Sequence, residues 1–312
     1  MSTLPAPLVH QGDLATTLEK HAHHARGAYA EATERALRSD TAIFTAWCTS
    51  RGNSPLPAAP DTVVAFIDAM AEIRAPATVR RYVASIATFH RAAGLDSPTK
   101  ALPVKLALKR MHRAKGRMQK QAAPLNEAEF RRCLAAAGDR LIDKRDKALL
   151  AVGRCILARR SELVSLLAED MQADNDGGAS ILLRRSKSDQ EGQGAVVYMP
   201  RFAAELVRRW LWAAGVTNGP IFRSVDRKNI VGETLHSAMV GRIIAKMAKR
   251  ADIDAELTGH SLRVGMAQDL TVAGFELSGI MQAGRWKSPE MPARYSARLS
   301  AKNGAVAGYY AE

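Results

Sequence analysis

No run of roughly 18 apolar residues occurs in this 312-residue chain, so no segment reads as membrane-spanning. Cysteine is scarce. Cys48, Cys133 and Cys155 are odd in number and far apart, which excludes a disulfide framework and a zinc pattern and points to a reducing cytoplasm. No apolar run follows a basic start at the N-terminus, so no signal peptide is expected. There is no P-loop and no cluster of metal ligands. His21, His23 and His24 lack partners at ligand spacing and read as a solvated helix face. Acid is also short: 31 Asp and Glu stand against 45 Lys and Arg, a net charge of +14 and a pI near 10.0. That excess implies a polyanionic partner. With no spanning segment beside it, nucleic acid fits better than membrane.

What is present is mostly helical periodicity. Residues 1–12 read as a disordered tail. A helix is expected from Ala28 to about Ser50, with Ala36, Ile43, Phe44, Trp47 and Cys48 at helical spacing. A second is expected with Asp61 as its cap and Val63, Val64, Phe66, Ile67 and Met70 inward. A third opens at Pro76 and stops at Gly94, with Arg80, Arg81 and Arg91 on its polar side. Arg80 and Arg91 are about three turns apart and suit one groove. Lys100 to Lys120 holds eight basic residues and no acid. There Lys105, Lys109, Arg113 and Arg117 step by four along one expected helix, a stripe that neutralises consecutive phosphates. Residues 1–122 therefore read as an all-helical DNA-binding domain of net charge +8, from 17 basic and 9 acidic residues.

Gly116 to Pro124 has no apolar periodicity and reads as a linker. The second domain, 123–312, opens with Asn126 as N-cap and Glu129 completing a capping box. An apolar helix from Asp143 to about Leu157 must be central core. Ser180–Arg185 and Ala195–Met199 form an expected hairpin around a polar, Gly-rich middle. Arg201–Ala214 reads as an amphipathic helix with Leu206, Val207, Trp210 and Leu211 inward. Thr234–Arg250 reads as a helix with a basic end.

Chemistry concentrates near the C-terminus. His260 and Arg263 are three apart on an expected helix and share a face. A guanidinium that clamps two oxygens beside an imidazole suits a phosphate. Ile280 to Trp286 reads as a short helix ended by a glycine, and Tyr295 follows nine residues on, between Arg294 and Arg298. The pattern suits a tyrosine nucleophile brought to a phosphodiester held by arginines, which is DNA strand transfer. Lys187 is the only lysine between Lys147 and Lys228. It suits protonation of a departing 5′ oxygen, which an arginine cannot perform because its pKa is too high. A plain backbone-phosphate contact is the alternative for Lys187. Core packing is the alternative for Trp286, and a structural ion pair for Arg159 with Glu162.

Leu157-Ala158-Arg159-Arg160-Ser161-Glu162-Leu163, the lone Lys187, Gly259-His260-Ser261-Leu262-Arg263-Val264-Gly265, Trp286 and Tyr295 occur in that order. The pattern resembles the tyrosine site-specific recombinases of the phage-integrase family, and most nearly the Cre-type members. Ile280-Met281-Gln282-Ala283-Gly284-Arg285-Trp286 and Asn303-Gly304-Ala305-Val306 carry the narrower likeness. The resemblance implies a mainly α fold with an N-terminal helical, SAM-like core-binding domain. A C-terminal α+β catalytic domain with a small antiparallel sheet would complete a C-shaped DNA clamp. It implies a catalytic set of Arg159, Glu162, Lys187, His260, Arg263, Trp286 and Tyr295, with Arg160 at a variable position. Tyr295 would form a 3′-phosphotyrosine on the way to a Holliday junction, without metal or nucleotide cofactor. Arg159, Arg263, His260 and Trp286 would stabilise the phosphate, and Glu162 would orient the arginine.

The implied partner is double-stranded DNA at an inverted-repeat site, read with Arg80, Arg91 and residues near Arg242. The implied assembly is a homotetramer joined by exchange of the helix at Ser300–Tyr310; packing of that helix on its own domain is the alternative. Localisation would be cytoplasmic, in a bacterium or as a phage or plasmid product. A relaxing type IB topoisomerase and a non-catalytic DNA-binding regulator are the competing readings. Tyr309 and Tyr310 are the rival nucleophiles.

Overall fold

The structure, a computed structural model, describes residues 27–118, 121–185 and 192–302 and a few isolated positions besides. It divides into two compact units, Met1–Lys120 and Gln121–Glu312. Several expectations lie outside the described residues: the tail at 1–12, His21, His24, Lys187 and most of the segment after Lys302. Among the described residues, no helix is long and apolar enough to cross a membrane, and no group of three or more acidic, His or Cys side chains is placed to hold a metal ion.

The first unit is helical: α1 (Glu31–Thr49), α2 (Pro60–Ile73), α3 (Pro76–Ala92) and α4 (Leu102–Lys115), with a 3₁₀ turn at Pro98–Lys100. Pro60 and Pro76 open their helices at the first position, where a missing N–H costs nothing. The expected cap at Asp61 is therefore corrected. Ala59 is the cap residue, and Asp61 lies in the first turn, where its charge suits the positive helix end. Phe66 collects the core, with Phe44 and Trp47 edge-on at 5.0 and 5.3 Å between ring centres. Val79, Ile86, Val104 and Ala107 close around them.

Two buried polar side chains fix this unit. Asp40 accepts hydrogen bonds from Ser85 Oγ and Arg81 Nη2, both at 2.8 Å. Arg81, expected at DNA, thus commits part of its guanidinium to a buried carboxylate, and like Arg80 and Arg91 it remains exposed on α3. Fully buried His90 donates from Nδ1 to Ile86 O at 2.8 Å, and its Nε2 accepts the Ala58 N–H at 3.0 Å. Both ring nitrogens are used, which requires the neutral ring. On α4, Lys105, Lys109 and Arg113 are exposed as the stripe predicts. Arg117 leaves it: Gly116 at φ 74° ends the helix one residue before.

The second unit surrounds α6 (Leu141–Cys155), which is preceded by α5 (Glu127–Ala136). The Asn126–Glu129 capping box is present, with bonds of 3.0 and 3.2 Å. Next come α7 (Arg160–Ser165), a sheet, α8 (Arg201–Ala214), α9 (Ala238–Arg250), α10 (Ser261–Val272), α11 (Leu277–Gly284) and α12 (Glu290–Lys302). The sheet is antiparallel in the order β1 (Met171–Ala173), β2 (Ala179–Leu183), β3 (Ala195–Met199). The expected hairpin is β2–β3, with Ile181 opposite Val197; β1 adds an edge with Met171 opposite Ile181. Helix α9 starts at Ala238, later than expected. Its basic end is partly structural, because Lys246 and Arg250 pair with the buried Asp146 and Asp143 at 2.7 and 2.5 Å.

Burial pushes the pKa of His90 below its ordinary 6.5, against the bond to Ile86 O, which raises it. The unfolded chain therefore takes up the proton first as pH falls. The stability contributed by the neutral ring is present above about pH 6.5 and is lost as pH drops below it. Urea unfolding of the whole protein at pH 7.5 and 5.5 checks this. His90→Gln should cost about 1–3 kcal/mol at pH 7.5, the scale of lost buried hydrogen bonds, and should flatten the acid loss. An acid loss identical to wild type would contradict the assignment.

Candidate active site

The site is built where α6 ends. Ala158 N–H donates to Gly153 O at 3.0 Å and Leu157 N–H to Arg154 O at 3.2 Å, the paired bonds of a Schellman turn. Leu157 occupies its left-handed position at φ 46°. The last turn of a helix leaves carbonyls without partners, and here one arginine takes the cap carbonyl and a second takes the carbonyl of the residue after it. Arg285 Nη1 donates to Ile156 O at 2.9 Å, and Arg263 Nη1 donates to Leu157 O. The negative end of α6 thereby holds two guanidiniums in place.

Helix α11 ends in the same way. Trp286 N–H donates to Met281 O at 2.9 Å and Arg285 N–H to Gln282 O at 3.1 Å, with Arg285 left-handed at φ 55°. The helix ends at Gly284 as expected, and the left-handed residue that turns the chain is the next one, Arg285. Gly284 serves a different need, because a Cβ there would lie 1.9 Å from the Trp286 ring. Gly284 O also accepts from Arg263 Nη2. The Arg263 guanidinium lies 4.1 Å from the centre of the Trp286 ring, a cation–π contact. Trp286 in turn meets Tyr295 edge-on, with ring centres 5.8 Å apart.

Helix α10 brings Arg263 to this point and is buried on nearly every side. Its Gly265 lies against the backbone of Leu125, whose carbonyl oxygen would be 1.9 Å from an added Cβ. Leu125 N–H donates to Ser261 O at 3.0 Å, which fixes the incoming chain to the helix start. His260 is the exposed cap residue of α10, one turn before Arg263. Tyr295 sits on α12 and is 8% exposed. Its carbonyl accepts Gln268 Nε2 at 2.8 Å and Gln121 Nε2 at 3.5 Å, so the helix is tied to α10 and to the chain entering the unit.

Arg159 and Glu162 start α7. Glu162 Oε2 accepts the Arg159 backbone N–H at 3.0 Å, and Oε1 accepts Arg159 Nη1 at 2.6 Å. Arg285 Nη2 reaches the same carboxylate, at Oε2, at 2.8 Å. Burial alone would raise the Glu162 pKa. The Arg159 N–H, then Arg285 and the Arg159 guanidinium, outweigh it and hold the carboxyl below its ordinary value. Arg263 is 2% exposed. Burial first, then the Arg159 and Arg285 charges, push its pKa down to about 10, which leaves it cationic at neutral pH.

Of the expected set, Arg159, Glu162, Arg263, Trp286 and Tyr295 are joined through these contacts, with His260 one turn away. Lys187 lies outside the described residues. Its neighbour Asp189 accepts the backbone N–H groups of Gly192, Gln193 and Gly194, and Lys287 is among the charges that lower its pKa after those bonds. Arg242 is exposed on α9. Tyr309 and Tyr310 are exposed and meet each other edge-on at 5.0 Å. Arg285, Gln268 and Gln121 were not anticipated. A bulky cation directly after the glycine that ends a short helix was the available signal for Arg285.

A helical unit followed by a mainly helical unit with a three-stranded sheet is the fold of tyrosine recombinases. The lambda integrase dimer bound to a COC′ core site shares it, at TM-score 0.62 and 16% identity over 91% of this chain and 95% of that one. So does the Tn1549 transposon integrase in complex with transposon right end DNA, at 0.63 and 14% over 93% and 99%. Sequence goes further. Residues 124–302 match the Phage integrase family. An integrase/recombinase xerD homolog from Selenomonas ruminantium is 34% identical over 278 residues, 85% of this chain and 81% of that protein. Recombinase cre of Escherichia phage P1 is 26% identical over 302 residues, 90% and 88%. The chain belongs to the phage integrase family of tyrosine recombinases.

Gly284→Ala should push the Trp286 ring off Arg263 and destabilise the protein by about 1–3 kcal/mol, the usual cost of overpacking. Chemical unfolding with near-ultraviolet circular dichroism measures both. Unchanged stability and an unchanged aromatic signal would contradict the packing described.

Proposed function

We propose that this protein is a site-specific recombinase that cuts one DNA strand with Tyr295 and rejoins it to another duplex. The Tyr295 oxygen attacks the scissile phosphorus and forms a 3′-phosphotyrosine, and the 5′ oxygen departs with a proton supplied by Lys187. The free 5′ hydroxyl of a second strand then attacks the phosphotyrosine, displaces Tyr295 and gives a Holliday junction. The phosphodiester bond energy is kept in the covalent link, so neither nucleotide nor metal is required. Arg159, Arg263, His260 and Trp286 stabilise the charge that grows on the phosphate, and His260 also accepts the phenol proton.

The observation that carries this reading is the continuous path from Tyr295 through Trp286 to Arg263. It sets the largely buried Tyr295 ring against Trp286, whose own ring lies over the Arg263 guanidinium. The Arg80, Arg81, Arg91, Lys105, Lys109, Arg113, Arg117 and Arg242 side chains are assigned to duplex DNA, the first seven in the helical unit. An inverted-repeat target follows from identical protomers on a two-fold duplex. A homotetramer exchanging the Ser300–Tyr310 segment completes the proposal.

The protein incubated in chelator with a library of randomly nicked, random-sequence duplexes should accumulate a denaturation-resistant adduct, because the short fragment released at a nick diffuses away. Tyr295→Phe should bind the library and form none; adduct formation by that variant would overturn the assignment. Binding should weaken by about 10³–10⁵ between 50 and 200 mM salt if 6–10 phosphates are contacted. An affinity insensitive to salt would remove the phosphate assignments.

A further inference from the structure

The left-handed position of a Schellman turn is normally glycine, because any Cβ is strained there. At the end of α11 that position is held by Arg285, directly after a glycine. Non-glycine residues persist in such conformations only where the surroundings over-determine them. Here the determinants are side-chain bonds, Nη2 to Glu162 Oε2 at 2.8 Å and Nη1 to Ile156 O at 2.9 Å. The Arg285 Nε is buried without a partner. A side chain that accepts both backbone strain and an unpaired donor is held by what the guanidinium does for its neighbours.

Glu162 shows what that is. Its side chain is 1% exposed, and it bonds both the backbone and the guanidinium of Arg159. Alone with Arg159 it would make a neutral pair in a medium of low dielectric constant, and an approaching phosphate would feel little of the Arg159 charge. Arg285 supplies the second cation. Arg159 and Arg285 then bond one carboxylate, with Arg263 near enough to feel its charge, and the cluster of three guanidiniums and Glu162 keeps a surplus of two positive charges. The Arg285 side chain is itself only 14% exposed, with its bonds directed into the protein, so it acts through Glu162 and not on the substrate.

We propose that Arg285 is a positioning residue of the strand-transfer site, cancelling the charge of Glu162 so that the Arg159 charge remains available to the scissile phosphate. This rests on the recombinase reading given above. It separates charge balance from simple support of α7. If the bonds alone mattered, a neutral donor at 285 would serve nearly as well, and loss of Glu162 would add to the damage. If charge matters, a neutral donor fails and removal of the carboxylate repairs it.

The test is the initial rate of adduct formation on the nicked random-sequence duplex library for wild type, R285K, R285Q, E162Q and E162Q/R285Q, with duplex affinity and unfolding midpoint measured beside it. R285Q should slow cleavage by about 10–100-fold, up to the scale of one lost stabilising donor, with little change in affinity. R285K should lose less. E162Q/R285Q should cleave at least about tenfold faster than R285Q, a coupling of opposite sign to additive damage. R285Q cleaving like wild type, or the double variant falling to the product of the single losses, would overturn the proposal. Should R285Q unfold, R285K and the double variant still decide: the proposal then needs the double variant to fold and cleave. An absence of adduct with wild type itself would sink the recombinase reading, and this inference with it. An adduct with wild type and an undiminished R285Q would sink this inference alone.

Discussion

A guanidinium buried among backbone carbonyls is the constraint on which the C-terminal unit depends. Arg263 reaches Leu157 O after α6, Gly284 O at the end of α11 and the face of Trp286. These belong to segments more than 100 residues apart in the chain at their widest. A charge so placed is tolerated because strong acceptors surround it and a carboxylate lies nearby. Removing it would leave two buried carbonyls unpaired and Trp286 without its cation–π contact. A residue as buried as any charged group of the site is thus also what holds the site together.

The rest follows from helix ends. Helix α6 is enclosed by its own unit, so its final carbonyls have no access to water and must find donors within the protein. Arg285 is the donor to the cap carbonyl and Arg263 to the one that follows, and the left-handed turns at Leu157 and Arg285 aim the carbonyls and side chains at one another. Tyr295 is fixed from outside this knot by Gln268 and Gln121, which share its carbonyl oxygen. The chain entering the unit is therefore mechanically connected to the tyrosine helix. A reaction that moves a tyrosine against a phosphate gains from such rigid placement, because misplacement of about an ångström can cost on the order of 10² in rate.

Much of this was legible in the sequence, and for identifiable reasons. Capping chemistry is local, so Asn126 and Glu129 announced α5. Apolar periodicity announced α6 and the buried face of α8. The arrangement of Arg159, Glu162, Arg263, Trp286 and Tyr295 could be anticipated because their order in the chain is distinctive. What escaped was non-local. Strand β1 has three residues, too few to show alternation. Asp61 looked like a cap although Pro60 already opens the helix, and Arg117 seemed to extend a stripe that Gly116 interrupts. The pairings of Arg81 with Asp40 and of Arg250 with Asp143 join residues 41 and 107 positions apart, a separation at which a surface cation and a structural one look alike. Gly284 was read correctly as the end of a helix, but its need for space against Trp286 appears only in three dimensions.

The identity of the nucleophile is the point on which the whole reading turns, since Tyr309 and Tyr310 follow closely in the chain. The most direct measurement is to digest the isolated protein–DNA adduct with nuclease and protease and to map the modified peptide by mass spectrometry. A nucleotide joined through its 3′ phosphate to the peptide containing Tyr295, and to that residue within it, is the predicted result. A nucleotide on Tyr309 or Tyr310, or one attached through a 5′ phosphate, would contradict the account.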